Sequence, residues 1–307
     1  MSYSVTIPQF PDFKYLEMSD REFLHQRFFD YQPETSEWTF TNLFVWREYY
    51  RYQWSVLNGN LLVLCNPLGW GHYFLMPIGG GNRLETTRTM LAWLKNEKEE
   101  YDPRIERTDE RFVKEIAQDE GLIVEPVRDQ FDYVYSTQNL IQLEGRKYHA
   151  KKNHINRFQS RYAFEYKTMD TELSKECRHV LKRWCDWREC EKNPIMQAEM
   201  EACQETLKYF QELRIEGGVI LANGKVIAFT LGELLNSGTA VIHVEKIDPD
   251  VPEGFAVINQ QFCEHAWSNI PFINREQDLG VPGLRRAKQS YNPIKMVEKF
   301  RVRLKTE

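Results

Sequence analysis

The stretch Gly218-Val219-Ile220-Leu221-Ala222-Asn223-Gly224-Lys225-Val226-Ile227-Ala228-Phe229-Thr230-Leu231-Gly232-Glu233-Leu234 decides the fold. Two apolar runs flank an Asn-Gly pair, the dipeptide that tolerates positive φ at both central positions of a tight hairpin turn. After Asn236-Ser237-Gly238 comes a third apolar run, Thr239–Ile247, then a helical stretch, Phe255–Ser268, and a short strand, Phe272–Asn274. A hairpin and third strand followed by a helical crossover to another strand predict a mixed sheet with helices on its faces.

The same order occurs earlier in the chain. Tyr52–Leu57 and Leu61–Cys65 flank Asn58-Gly59-Asn60, a further strand fits His72–Met76, and a helix fits Leu84–Glu99. A short segment at Arg104–Arg107, a helix over Asp109–Gln118 and strands near Leu122–Val127 and Phe131–Tyr135 follow. The later copy begins with a helix from Gly145 to Phe158, a strand at Ala163–Thr168 and helices Glu172–Arg188 and Gln197–Arg214. It closes with helix Gly283–Ser290 and strand Met296–Val302. The chain therefore reads as two tandem copies of one α/β (α+β) domain, residues 1–140 and 141–307. Ser19-Asp20-Arg21-Glu22 has the form of a capping box, and the aromatic stretch Trp38–Tyr50 reads as core.

Composition bounds the class. With 307 residues, 42% hydrophobic and 28% charged, the chain can bury a sizeable core and reads as a soluble globular protein. It holds no apolar run near the roughly 20 residues that span a bilayer. Met1–Val5 has no basic segment leading into an apolar one, so a cytoplasmic location is expected. The six cysteines lack a CxxC pair, and Cys185 and Cys190 stand five apart, so all six read as reduced packing residues. His149 and His154 are also five apart, and no HExxH, Walker, GxSxG or dinucleotide motif occurs; no metal or bound cofactor is expected. Charge is uneven: residues 1–144 carry 14 Lys/Arg against 23 Asp/Glu, residues 145–307 carry 26 against 22. The later copy is better suited to a phosphate-bearing partner.

Two stretches concentrate chemistry. Asn274-Arg275-Glu276-Gln277-Asp278-Leu279-Gly280-Val281-Pro282-Gly283-Leu284-Arg285-Arg286-Ala287-Lys288 leaves a short strand and enters a helix, a place where a scaffold exposes binding groups. Asp278 reads as a group that holds a substrate ammonium or assists proton removal, or else caps its own turn or pairs with Arg285. Arg285 would steady a phosphate or an oxyanion, and Lys288 shares that basic face. Glu233 and Glu245, on adjacent strands, interrupt apolar runs; each either lines a cleft for a cation or points to water from an edge. In the second stretch, Gly145–Phe158, Lys147, Lys151, Lys152 and Arg157 form either a phosphate- or tRNA-contacting face or a solvated linker helix.

The words Trp38…Phe44-Val45-Trp46-Arg47, Gly145-Arg146-Lys147…Lys151-Lys152-Asn153…Asn156-Arg157-Phe158 and Asn274…Gln277-Asp278-Leu279-Gly280…Gly283-Leu284-Arg285…Lys288…Tyr291…Pro293 resemble a bacterial family. It is the family built on the C-terminal, catalytic domain of phosphatidylglycerol lysyltransferase, and the element order resembles the GNAT-type acyltransferase fold. Related tandem folds include Fem-type enzymes that add amino acids to peptidoglycan precursors. The resemblance implies aminoacyl transfer from a charged tRNA to an amine or hydroxyl, without a metal; the acceptor classes expected are a small amine, a hydroxyl compound or a lipid headgroup. The candidate site then has Asp278 and Arg285 in the chemistry, and Glu233, Glu245, Asn274, Glu276, Lys288 and Tyr291 around the substrate. A non-catalytic tRNA- or anion-binding protein of the same fold is one alternative, and an acyl-CoA-dependent N-acyltransferase is another. The latter fits less well, because Pro252-Glu253-Gly254-Phe255-Ala256 lacks the full phosphate-loop motif and sets a carboxylate where a diphosphate would lie.

Overall fold

The computed structural model describes residues 6–305; Met1–Val5, where the reading of no leader falls, lie outside the described residues, as do residues 306–307. In chain order the first elements are β1 (Lys14–Tyr15), α1 (Arg21–Tyr31), α2 (Phe40–Val45), α3 (Arg47–Tyr50), β2 (Gln53–Leu57), β3 (Asn60–Cys65), β4 (Tyr73–Leu75) and β5 (Ile78–Gly79). Next come α4 (Arg83–Glu97), β6 (Arg104–Thr108), α5 (Glu110–Ile116), β7 (Leu122–Pro126), β8 (Asp132–Ser136), α6 (Thr137–Gln142), α7 (His149–Arg161) and β9 (Phe164–Thr168). The chain continues with α8 (Thr171–Arg188), α9 (Pro194–Lys208), α10 (Phe210–Leu213), β10 (Glu216–Ala222), β11 (Lys225–Asn236) and β12 (Thr239–Ile247). It ends with α11 (Gly254–Trp267), β13 (Phe272–Asn274), α12 (Pro282–Gln289), β14 (Lys295–Val297) and β15 (Phe300–Leu304).

These elements build two mixed sheets flanked by helices, the expected α/β (α+β) arrangement. One sheet runs β1-β2-β3-β4-β6-β15-β7 with β5 added beside β3; the other runs β14-β8-β13-β12-β11-β10-β9. In each, an antiparallel hairpin leads through a third strand and a helix to a parallel neighbour: β4 pairs β6, and β12 pairs β13. Both Asn-Gly turns adopt the expected backbone, with φ of 51° and 81° at Asn58-Gly59 and 51° and 72° at Asn223-Gly224.

Contacts group Met1–Asp132 with Val297–Glu307, and Tyr133–Met296 as a second unit, where the sequence reading sets a single division near residue 140. The strand expected over Met296–Val302 is two strands in different sheets, β14 beside β8 and β15 between β6 and β7. The residue between them explains the break. Lys299 is fully buried, its ammonium 2.7 Å from Glu37 and 2.7 Å from Asp132, so the backbone leaves the line of β14 to bring this charge to its partners.

Two local expectations are corrected. The helix after Ser19 starts one residue later than the capping-box reading requires, with Asp20 at its head. The capping box lies two residues earlier and is headed by Glu17: buried Asp20, its third residue, accepts from the Glu17 N–H at 3.0 Å, and also from Lys14 at 2.7 Å and Trp54 Nε1 at 3.0 Å. Cys185 and Cys190 form a disulfide. On one continuous helix, five residues would turn them apart; α8 instead stops at Arg188, and Glu189 at φ 53° folds the chain back. The other four cysteines are buried and reduced.

In the second unit, α11 lies on one face of the sheet. Ala256, Val257 and Ile258 pack with Ile220, Ala228 and Ile247, and Phe262 and Cys263 pack with Ala240, Ile242 and Ile273. Each large apolar side chain so buried contributes about 1.5–3 kcal/mol. At Gly254, a Cβ would lie 2.2 Å from Ile247 Cδ1, so glycine lets this helix start close against β12. Among the described residues no helix is long and apolar enough to cross a membrane.

Candidate active site

The site follows from how two strands part. β12 pairs with β13 in parallel over three positions only, ending at Val241 opposite Asn274. On its other side β12 pairs with β11, and the register slips between Leu231/Gly232, which face Val244 and Ile242. His243 is the extra residue of this bulge. A bulge redirects a side chain and locally increases twist, which here coincides with the end of the β12–β13 pairing. Beyond it, the chain from Asn274 is held by side-chain turns rather than by β12. Asn274 Oδ1 accepts from the Glu276 N–H at 2.8 Å, and Glu276 takes the left-handed φ of 57°. Asp278 Oδ1 accepts from the Gly280 N–H at 2.9 Å, and Leu279 and Gly280 follow at φ 52° and 73°. Consecutive left-handed residues outside a hairpin carry strain, and such strain concentrates at functional loops.

Three charged assemblies stand at this opening. The first is a carboxylate–imidazole–carboxylate chain: His243 Nε2 lies 3.0 Å from Glu233 and Nδ1 lies 2.8 Å from Glu276. Burial works against a charged ring, but hydrogen bonds to both glutamates and their charges overcome it and raise the His243 pKa to about 10. The ring is therefore an imidazolium at neutral pH and donates from both nitrogens. On the same strand, Lys246 lies 3.5 Å over the Trp184 ring and pairs with Glu199.

The second assembly joins Glu245 to Arg275, whose guanidinium lies 4.6 Å over the Tyr291 ring and 5.8 Å over Tyr135. Burial opposes the charge on Arg275, but Glu245 and the two phenols raise its pKa further. Lys151 sits 3.8 Å over the same Tyr291 ring. Its pKa is lowered to about 8, first by burial and then by repulsion from Arg275. Lys288 donates to the carbonyls of Arg275 and Glu276, and the Lys288 carbonyl accepts from Tyr135 Oη at 2.8 Å.

The third assembly is Asp278, fully buried and saturated. Arg285 grips it with Nε at 2.9 Å and Nη2 at 2.8 Å, and Tyr133 Oη donates to it at 2.6 Å. Burial would raise its pKa, but the bonds from Arg285, Tyr133 and the Gly280 N–H hold it well below the usual carboxylate range. A carboxylate so occupied is a weak proton acceptor and has no free edge for an ammonium. Of the roles read from the sequence, the geometry matches the turn cap and the Arg285 partner.

The structure thus brings together Glu233, Glu245, Asn274, Glu276, Asp278, Arg285, Lys288 and Tyr291, and of the four cations on α7 and its lead-in it adds Lys151 alone. Lys147 and Lys152 are exposed, and Arg157 turns with Arg161 toward Glu253, at 3.6 and 3.1 Å. That carboxylate, at the start of α11, is therefore fixed by two guanidiniums. Among the described residues no group of three or more His, Cys, Asp or Glu side chains is arranged to hold a metal ion.

Sequence reading missed His243, Arg275, Lys246 and Tyr133. For His243 a signal was present: it is a polar residue inside the apolar run Ala240–Val244, where a titratable side chain needs a partner.

Comparison with known proteins agrees with this architecture. A crystallised conserved protein of unknown function from Bacteroides thetaiotaomicron is 31% identical and superposes with a TM-score of 0.88 over 95% of this chain and 99% of its own. The structure of L-PGS from Bacillus licheniformis shares the fold at a TM-score of 0.64 with 13% identity, over 99% of this chain and 95% of its own. An uncharacterised protein of Mycoplasmoides gallisepticum is 20% identical over 195 residues, 60% of this chain; the match spans 63% of that curated relative. The phosphatidylglycerol lysyltransferase C-terminal family matches residues 28–303, nearly the full length. By that match and by the strand arrangement that carries the site, the chain belongs to the family of phosphatidylglycerol lysyltransferase C-terminal domains.

Proposed function

We propose that this chain transfers an aminoacyl group from an aminoacyl-tRNA to an amine or hydroxyl acceptor at the opening between β12 and β13. One observation carries the reading. The strands stop pairing at Val241–Asn274, and charged groups on both faces of the sheet are fixed directly beyond that point. Ester aminolysis requires the acyl carbon, the attacking group and a proton acceptor to be held together. In this scheme the acceptor amine approaches beside the Glu233–His243–Glu276 chain. Arg285, oriented by Asp278 and about a third exposed, faces a phosphate of the donor or the oxyanion. Lys151, whose pKa near 8 leaves part of it neutral at physiological pH, is the proton acceptor in this scheme. The exposed cations Lys147 and Lys152 supply contacts to a nucleic-acid backbone without reading sequence.

Aminoacyl-tRNA is preferred to acyl-CoA as donor because Pro252-Glu253-Gly254-Phe255-Ala256, at the start of α11, lacks the full phosphate-loop motif that a coenzyme A diphosphate would need. The test is discharge of radiolabelled aminoacyl-tRNAs in the presence of candidate amines and hydroxyl compounds. Turnover that falls in Arg285→Met supports the proposal; absence of turnover with every charged tRNA sinks it. A second reading, binding without transfer, is favoured by the saturation of Asp278. Its signature is tRNA binding with no discharge.

A further inference from the structure

Tyr291 follows the last turn of α12 and is 5% exposed. Its ring serves two cations: the Lys151 amine lies 3.8 Å from the centroid and the Arg275 guanidinium 4.6 Å. Like charges repel, and a flexible lysine stem ordinarily carries its ammonium away from a guanidinium and into water. Lys147 and Lys152, on the same stretch of chain, do so and are exposed. Lys151 does not, so something must hold it. The face of an aromatic ring attracts a cation, and does so more strongly where water is excluded.

The ring is itself fixed. The Tyr291 N–H donates to the Lys288 carbonyl at 3.2 Å, and Tyr135 meets the ring edge-on at 6.4 Å and 82°. Asn292, at the left-handed φ of 54°, turns the chain after it, and its Nδ2 donates to the Lys147 carbonyl at 3.4 Å. Tyr291 and Asn292 therefore meet Lys151 and Lys147, about one helical turn apart, so the end of α12 grips the head of α7 at two points. This accounts for the selection among the cations of that stretch: only the one over the ring is drawn in. Burial raises the Tyr291 hydroxyl to about 12, so the ring stays a neutral phenol.

We infer that Tyr291 is a positioning residue, whose ring holds the Lys151 amine in the site beside Arg275. The charged and titratable groups facing that amine are Arg275, Glu245 and the Tyr291 phenol. Burial and then Arg275 disfavour its protonated form, and Glu245 favours it. Without the ring, the amine returns to water as its neighbours do and escapes these effects. The proton-accepting form is thus set by a residue that neither titrates near neutral pH nor reacts. The role rests on the reading of Lys151 as proton acceptor for its use in transfer, but the holding is measurable without turnover.

The test is the pH dependence of labelling by dinitrofluorobenzene, which reacts with the neutral amine, read at Lys151 by peptide mass spectrometry on the full chain. The parent titrates with a midpoint of about 8. Tyr291→Phe keeps the ring and the midpoint. Tyr291→Leu raises the midpoint by about one unit or more, toward the free-lysine value of about 10.4, and leaves the labelling of Lys147 and Lys152 as in the parent. A parent midpoint near 10.4, or a Tyr291→Leu midpoint equal to the parent's, overturns the assignment. If Tyr291→Leu does not fold, Tyr291→Met decides by the same outcomes. A rise of one unit leaves about a tenth of the neutral amine at pH 7, so Tyr291→Leu should discharge aminoacyl-tRNA about tenfold more slowly, with its dependence on tRNA concentration unchanged. A raised midpoint in a protein whose parent discharges no charged tRNA keeps Tyr291 as the holder of Lys151 and removes the transfer reading. Discharge by Tyr291→Leu at the parent's rate and pH profile keeps transfer and removes Tyr291 from it.

Discussion

Arg285 and Asp278 meet in a two-pronged ion pair, with Nε 2.9 Å from Oδ2 and Nη2 2.8 Å from Oδ1. This parallel geometry fixes the guanidinium plane as well as its position. Asp278 is fully buried while Arg285 is about a third exposed, so the pair is worth less than a fully buried one. Asp278→Asn is expected to cost about 1.5–3 kcal/mol in urea unfolding, the range for hydrogen bonds to a charged group.

The same residue sets an acid dependence. Its folded pKa is depressed below the unfolded value of about 3.9, so its contribution to stability is present above that pH and lost as pH falls. Unfolding free energy measured from pH 7 downward should decline below about pH 4, with a shallower decline in Asp278→Asn. Equal slopes in the two proteins would show that the pair contributes nothing.

His243 works in the opposite sense. Its folded pKa of about 10 exceeds the unfolded value of about 6.5, so its stabilising effect is complete below about pH 6.5 and disappears as pH rises through about 10. The imidazole carbon-bound protons should titrate in NMR with a midpoint several units above that of a free histidine. A midpoint near 6.5 would mean that Glu233 and Glu276 do not clamp the ring. His243→Phe leaves the two carboxylates facing one another and should be less stable than His243→Gln.

Lys299 tests the first unit. Its ammonium is fully buried between Glu37 and Asp132, and Asp132 also takes the Ser36 N–H at 2.8 Å. Removing the cation takes the 2.7 Å partner from two buried carboxylates, of which Glu37 keeps Arg107 at 3.7 Å, so Lys299→Met should cost about 3–5 kcal/mol. A loss below about 1 kcal/mol, the scale of an exposed pair, would contradict this burial.

Lys151 predicts a pH profile for transfer. With a pKa lowered to about 8, its neutral form grows as pH rises from 7 to 9, and the rate of discharge should rise with it. Lys151→Arg stays charged throughout and should be slower by about 100-fold, in keeping with loss of a general base, with its dependence on tRNA concentration nearly unchanged. An unaltered profile in that variant would remove Lys151 from the chemistry.

Much of the architecture is legible in local sequence. Asn58-Gly59 and Asn223-Gly224 specify hairpins because few other pairs accept positive φ twice, and the apolar periodicity of Phe255–Ser268 specifies a helix lying on a sheet. The loop at Asn274–Lys288 stands out because a strand, an Asp-Leu-Gly turn and a proline-led helix follow each other within fifteen residues. Glu233, Glu245, Glu276, Asp278 and Arg285 could be singled out for the same kind of reason, as charges set in or beside apolar runs.

Their partners could not. Tyr133 reaches Asp278 across 145 positions, His243 reaches Glu276 across 33, and Arg275 reaches Glu245 across 30. Nothing in the spacing of these residues announces the pairing, because it depends on a bulge at His243 and on where β12 and β13 separate. Similarly, Met296–Val302 reads as one strand until the burial of Lys299 divides it between two sheets. The amino-acid sequence alone determined the hairpins, the helices and the charged loop, since these follow from the preferences of adjacent residues. Tertiary structure decided which charges neutralise one another and which buried atoms stay open, since desolvation and ion pairing depend on distances that only packing sets.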